Sequence, residues 1–295
     1  MKILVFGKIG QLGWELQRSL APLGEVIAVD YPQIDLRNPQ TVRDWILPGS
    51  PDVIINATAY TAVDRAESEP QLAMAINADS VRTMAEEAQK AKAALIHFST
   101  DYVFDGQKGS PYIETDSPNP LSVYGKTKLA GERHIEDVGG SYLILRTSWV
   151  YSLRRESFVT KVLEWARQQE VLKIVDDQVS SPTWARMLAE ATALLLARAH
   201  DNLFTWIGER SGIYHLAGSG ACSRYEWAQA ILENDPQPES RLAREILPTK
   251  TVDFPTPAQR PLYSALNCEK FSKVFGLTLP HWRDALKLAM EELGK

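Results

Sequence analysis

The chain has 295 residues, 44% of them hydrophobic, and a formal net charge of −5. That length and apolar content bury one large core or two unequal ones, which excludes a disordered chain. The charge is spread without a basic block, so nucleic acid and anionic membrane are not expected partners and small molecules are.

The first predicted element is an apolar strand, Lys2 to Phe6, followed by glycines at Gly7, Gly10 and Gly13 and by a helix with Leu12, Leu16 and Leu20 at helical spacing. The GxxGxxG run has one residue more between its first pair than the usual dinucleotide fingerprint. Its physics is the same, because glycine lets the backbone approach a pyrophosphate whose charge the helix N-terminus stabilises. A tight turn alone would use the same residues. A second strand, Glu25 to Val29, ends on Asp30, where an acid would grip the adenosine ribose; a loop cap is the plain alternative. An acid there favours NAD over NADP, and Arg37, seven residues on, leaves the preference open. Asp35 and Leu36 flank the same end, before a helix predicted from Pro39 to Leu47.

The third strand, Asp52 to Ala57, is apolar except at Asn56, as a parallel strand covered on both faces should be. The loop Thr58 to Val63 after it stands at the strand's C-terminal end, where open α/β sheets bind ligands. An acid-rich stretch, Asp64 to Glu69, leads into a long helix through Lys90, and its charges suit a helix start. Ala93 to Phe98 is the fourth strand. It runs into Ser99, Thr100 and Asp101, a loop rich in Gly, Pro and Asp, and a helix from Leu121 to Asp137 that places Tyr124 and Lys128 one turn apart on one face. Ser141 to Arg146 is the fifth strand, with Trp149 just beyond.

Alternating strands and helices with short connections predict an α/β fold, a doubly wound parallel sheet of Rossmann type. Residues 1–150 form its dinucleotide-binding domain and 151–295 a smaller, mainly substrate-binding domain that returns in part to the first. In this second part, helices are predicted at Ser157 to Gln169, Pro182 to Ala199, Ser223 to Glu233 and Trp282 to Leu293. Short strands fall at Val171 to Val175 and Ile213 to Leu216, and Asp235 to Pro261 reads as long loops.

A hydroxyl at Thr100 and a Tyr124–Lys128 pair would converge on the strand ends that the glycine loop faces. Ketone reduction needs an acid to protonate the developing alkoxide, and a nearby ammonium lowers a phenol's pKa. Asp101 would bind a substrate hydroxyl or cap a turn, and Trp149 would wall a sugar pocket or fill the core. Arg260 would take a diphosphate or make a surface ion pair. The five histidines, His97, His134, His200, His215 and His281, lack metal-protease spacing, which argues against catalytic zinc. Cys222 and Cys268 stand far apart without CxxC spacing, as in a reducing, cytoplasmic compartment. The apolar run at the N-terminus is too short for a signal peptide, and no stretch reaches transmembrane length.

Six segments carry a resemblance: GKIGQLGWEL, NATAYTAVDRAESEP, STDYVFDG, SVYGKTKLAGE, LRTSWVY and RPLYSAL. Together they resemble the extended short-chain dehydrogenase/reductases that act on nucleotide sugars, and within them the dTDP-4-dehydrorhamnose reductase family. The resemblance implies reduction of the C4 ketone of dTDP-4-dehydro-β-L-rhamnose by NADPH or NADH, within dTDP-rhamnose and polysaccharide biosynthesis. It places Gly10, Gln11 and Leu12 at the cofactor pyrophosphate, Asp30, Asp35 and Leu36 at the adenosine, and Ala59, Tyr60 and Thr61 at the nicotinamide. It makes Thr100, Tyr124 and Lys128 the catalytic triad, with Lys128 on the nicotinamide ribose, and sets Thr100, Asp101 and Trp149 against the sugar. It also implies a homodimer and Mg²⁺, for which Glu15, Glu190 and Glu292 are the candidate ligands. Other readings are a different nucleotide-sugar 4-ketoreductase, an epimerase, or a non-catalytic dinucleotide-binding regulatory subunit.

Overall fold

The computed structural model describes residues 1–199 and 202–293; His200 lies outside the described residues. Five strands, β1 (Lys2–Phe6), β2 (Glu25–Val29), β3 (Val53–Asn56), β4 (Ala94–Thr100) and β5 (Tyr142–Thr147), join Gly212–His215 in a six-stranded sheet. The order is Gly212–His215, β5, β4, β3, β1, β2, with every pair parallel. The chain steps from β1 outward to β2 and then back across β1 to β3. Loops that leave β1 and β3 on opposite sides open a crevice above their C-terminal ends.

The side-chain alternation of β1 feeds two cores. Ile3 and Val5 pack with Ile55, Ile96 and Leu145 beneath helix α1 (Gln11–Ser19) and helix Ala185–Ala197. Leu4 and Phe6 pack on the other face with Val42, Ile46, Met84 and Ile135. A third cluster lies outside the sheet, where Val162, Trp184, Trp227, Trp282 and Leu286 hold helices Phe158–Gln168, Arg224–Glu233 and Trp282–Met290 together. Residues after 150 thus contribute both to this cluster and, through Ala185–Ala197 and Gly212–His215, to the main sheet.

Two segments depart from the sequence expectation. The long helix expected between Asp64 and Lys90 is broken into Val63–Ala66, Pro70–Met74, a π-helical turn Ala75–Asp79 and Ser80–Ala91. Pro70 starts a new helix because it has no amide hydrogen to continue the previous one. The π turn fits closely against helix Val123–Val138, where a Cβ on Gly131 would lie 2.2 Å from the Asn77 carbonyl oxygen. Glu245–Thr249, expected as loop, is a strand paired in parallel with Val171–Val175. Its pattern is obscured by Pro248, which a two-stranded ribbon tolerates. Among the described residues no helix is long and apolar enough to cross a membrane.

Candidate active site

The crevice over β1, β3 and β4 is a cleft of about 990 Å³. Its floor at one end is the glycine loop. Gly7 has φ 105°, and a Cβ there would sit 2.9 Å from the Ala57 carbonyl carbon; a Cβ on Gly13 would lie 1.8 Å from the Gly7 oxygen. Only glycine fits at either position. Gly10 precedes α1 with extended backbone and no side-chain cap, and Gly10, Gln11 and Leu12 line the cleft. The first-turn amides of α1 are thereby left for an anion. Gln11 adds a buried side-chain oxygen that has no hydrogen-bond partner. An orphaned buried acceptor beside an uncapped helix start suits a bound dinucleotide, whose hydroxyl and amide hydrogens can satisfy it.

At the adenosine end, Asp30 closes over the glycine loop. Its carboxylate accepts from the Ile9 amide at 3.0 Å and the Tyr31 amide at 2.8 Å. Asp35 is gripped by Arg37, Nε to Oδ1 at 2.8 Å and Nη2 to Oδ2 at 2.5 Å, and this pairing holds its carboxyl below the usual range. Leu36 and Arg37 share this wall.

On the opposite wall stand Ala59 and Thr61, but the Tyr60 phenol turns away to donate to Glu69, while its amide donates to Asn77 Oδ1 at 2.8 Å. The π turn therefore fixes this loop through Asn77, which also donates to Thr127 Oγ1 at 3.0 Å on the helix that carries Tyr124.

Ser122 caps helix Val123–Val138, and the first turn carries Tyr124 into the cleft beside Thr100 at the end of β4. Thr100, Tyr124 and Lys128 all line the cavity. Burial pushes the Tyr124 pKa up; the Thr100 hydroxyl pulls it down, while Asp101 and Tyr102 raise it further. The sequence expectation that Lys128 lowers it is not met in this arrangement. Lys128 is buried and points along β4 instead, donating to the Phe98 carbonyl at 2.7 Å with Nζ 3.2 Å from His97 Nε2. Burial pushes the Lys128 pKa down to about 8.

Asp101 lines the cleft, yet its oxygens are engaged. It accepts from Ser264 Oγ at 2.5 Å, Ser180 Oγ at 3.0 Å and Thr100 Oγ1 at 3.2 Å. A carboxylate with three hydroxyl donors positions Thr100 and ties β4 to the C-terminal chain. Trp149 has φ 43°, a left-handed backbone that a bulky residue adopts at a cost of about 1–3 kcal/mol. It stacks on Trp227 at 5.5 Å between ring centroids and presents its ring to the cleft.

Arg260 is not at the cleft wall. It binds Asp64 in bidentate fashion, Nη1 to Oδ1 at 3.0 Å and Nη2 to Oδ2 at 2.8 Å, and so anchors the C-terminal loop to helix Val63–Ala66. The cation that does reach the cleft is Arg224, whose guanidinium carbon lies 3.7 Å from the Trp149 ring and 4.8 Å from the Phe158 ring. Among the described residues it forms no ion pair, and burial lowers its pKa. A single arginine after a capping serine leaves no pattern in the sequence, which is why Arg224 escaped notice there.

Glu15, Glu190 and Glu292 do not form a metal site. Arg186 lies between them, with Nε 3.4 Å from Glu15 Oε2 and Nη1 paired to Glu292, while burial raises the Glu190 pKa. A guanidinium already supplies the positive charge a cation would bring. Among the described residues no cluster of three or more His, Cys, Asp or Glu suited to a metal is present.

The family model described as RmlD substrate binding domain matches residues 1–295. The dTDP-4-dehydrorhamnose reductase of Escherichia coli (strain K12) is 43% identical over 298 residues, covering 99% of this chain and 98% of that one. The crystal structure of a dTDP-4-dehydrorhamnose reductase from Clostridium acetobutylicum superposes with a TM-score of 0.91 at 34% identity, covering 100% of both chains. That of a dTDP-4-dehydrorhamnose reductase from Bacillus anthracis in complex with NADP gives 0.87 at 32% identity, covering 99% of each. With likeness over the full length in sequence and in backbone, the chain belongs to the dTDP-4-dehydrorhamnose reductase family.

Proposed function

We propose that this chain reduces the C4 ketone of dTDP-4-dehydro-β-L-rhamnose to the alcohol of dTDP-β-L-rhamnose, using NADPH or NADH. One observation carries the reading: a single continuous cleft joins the uncapped glycine loop to Thr100, Tyr124 and Lys128 and ends at the Trp149–Arg224 wall. When bound, the reduced nicotinamide supplies the hydride that adds to C4. The chain's own residues do the rest. Gly10, Gln11 and Leu12 hold the pyrophosphate, and Asp30, Asp35 and Leu36 the adenosine end. Ala59 and Thr61 border the nicotinamide side, where Lys128 holds the ribose.

Tyr124 protonates the oxygen. Its raised pKa keeps the phenol neutral at working pH, so the proton is present when negative charge develops on the C4 oxygen. Thr100, steadied by Asp101, orients the ketone. The proton leaves the Tyr124 oxygen as hydride arrives at carbon, so C=O becomes CH–OH. Trp149 walls the sugar, and the Arg224 guanidinium offers paired donors to the diphosphate. Purified protein mixed with NADPH and the authentic 4-dehydro sugar nucleotide should consume nicotinamide absorbance in step with product, and Tyr124→Phe should lose at least about a hundredfold in rate. Absence of turnover by the wild-type protein would overturn the assignment.

A further inference from the structure

Among the described residues, two of the cleft's lining residues carry a buried side-chain oxygen without a hydrogen-bond partner: Gln11 Oε1 at the glycine loop and Thr147 Oγ1 at the end of β5. The dinucleotide accounts for the first. Thr147 is 6% exposed and ends a strand whose inner positions Leu143, Ile144 and Leu145 are apolar. Valine has nearly the shape of threonine, and a hydroxyl buried without a partner is less favourable there than a methyl group. Neighbouring hydroxyls are engaged. Ser148 Oγ donates to the Ser181 carbonyl at 2.7 Å, while Thr100 Oγ1 donates to Asp101 and accepts from the Tyr102 amide at 3.1 Å. The Thr147 hydroxyl is left for a ligand.

Register locates the ligand atom. Thr147 is paired with Thr100 in the parallel ladder, so the two side chains leave the sheet on one face, on strands about 4.8 Å apart. From the glycine loop the cleft passes over β1, β3 and β4 and reaches Thr147 before the Trp149–Arg224 wall. The nicotinamide side, bordered by Ala59 and Thr61 after β3, therefore lies on one flank of Thr100, and Thr147 lies on the other, with the sugar. Of the two carbons beside the C4 ketone, C3 carries a hydroxyl and C5 a methyl group. Only the hydroxyl can pair with Thr147 Oγ1.

We propose that Thr147 binds the C3 hydroxyl of the sugar and so determines which 4-dehydro sugars the site accepts. This rests on the reading of the cleft as that of a 4-dehydro sugar nucleotide reductase. Thr100 orients the ketone and Thr147 holds the adjacent carbon's oxygen, so two paired threonines fix the ring beside Trp149. A site that pairs a buried hydroxyl with a substrate hydroxyl rejects the analogue lacking it, because the protein group is then left unpaired.

The test is a cycle of two proteins and two substrates with NADPH: wild type and Thr147→Val, each with the natural sugar nucleotide and with its 3-deoxy analogue. In the wild type, loss of the C3 hydroxyl should lower kcat/KM about tenfold, the equivalent of one well-made hydrogen bond. Thr147→Val should lose a similar factor on the natural sugar and nothing further on the analogue, since the partner is already gone. Thr147→Ser keeps the hydroxyl and should recover most of the loss. KM for NADPH should not change in Thr147→Val, and its denaturant midpoint should equal or exceed that of the wild type, which a structural role for the hydroxyl would not allow. The proposal is overturned by wild-type protein that uses both sugars equally well, by a Thr147→Val loss that is absent or is the same on both sugars, or by a loss confined to KM for NADPH. Wild-type protein that turns over neither sugar would defeat the functional reading itself, and this proposal with it.

Discussion

Arg224 illustrates how a side chain can be committed to a ligand before the ligand arrives. Its guanidinium is desolvated against Trp149 and Phe158, which costs free energy unless an anion compensates. Arg224→Met would keep the stacking volume and remove the charge. A charge-assisted hydrogen bond contributes about 1.5–3 kcal/mol, so KM for the sugar nucleotide should rise at least about tenfold. With the diphosphate remote from C4, kcat should change little, and steady-state kinetics read both. At Asp101, burial pushes the pKa up to about 6, only partly offset by the three hydroxyls. A folded-state pKa above the ordinary 3.8 means that this group's contribution to stability is present below 3.8 and is lost as pH rises through about 6. Catalysis should run the other way, because only the carboxylate accepts from Ser264, Ser180 and Thr100 together. A kcat that falls as pH drops through about 6, with this limb missing in Asp101→Asn, is the expected profile.

Helix Val123–Val138 is the element on which the site depends, and its base is a buried ion pair. Glu132 receives Arg146 Nη2 at 2.6 Å and Ser99 Oγ, joining the helix to β4 and β5 directly below Lys128. Glu132→Ala would leave a buried guanidinium unpaired, and denaturant unfolding should show a loss of about 3–5 kcal/mol. An unchanged midpoint would mean the helix is held by apolar packing alone. This helix was legible in the sequence from its period, which sets Tyr124 and Lys128 one turn apart on one face; its cap, Ser122, was found only in the fold. The direction of Lys128 was not, since it depends on a carbonyl and a histidine about thirty residues upstream in sequence. The π turn at Ala75–Asp79 was likewise invisible: its residues are ordinary helix formers, and only the close fit of Gly131 against Asn77 distinguishes it.

For the whole molecule, the sheet and its crevice follow from apolar strands separated by helical periods, and Gly7 and Gly13 mark the crevice because no larger residue fits. The C-terminal half was harder to read. Its short strands pair with distant segments, as Thr183–Trp184 does with Val150–Tyr151, and the arginine at the cleft is Arg224 whereas Arg260 is paired with Asp64. All of these parts meet in one claim, that hydride is delivered to C4 of a dTDP-linked 4-dehydro sugar while Tyr124 supplies the proton. The most direct test uses reduced nicotinamide deuterated at its transferable position and follows the product by NMR. The account predicts one deuterium per turnover, carried at C4 of the sugar, with stoichiometric oxidation of the cofactor. Product that carries no deuterium, or sugar interconverted without net consumption of the nicotinamide, would contradict it.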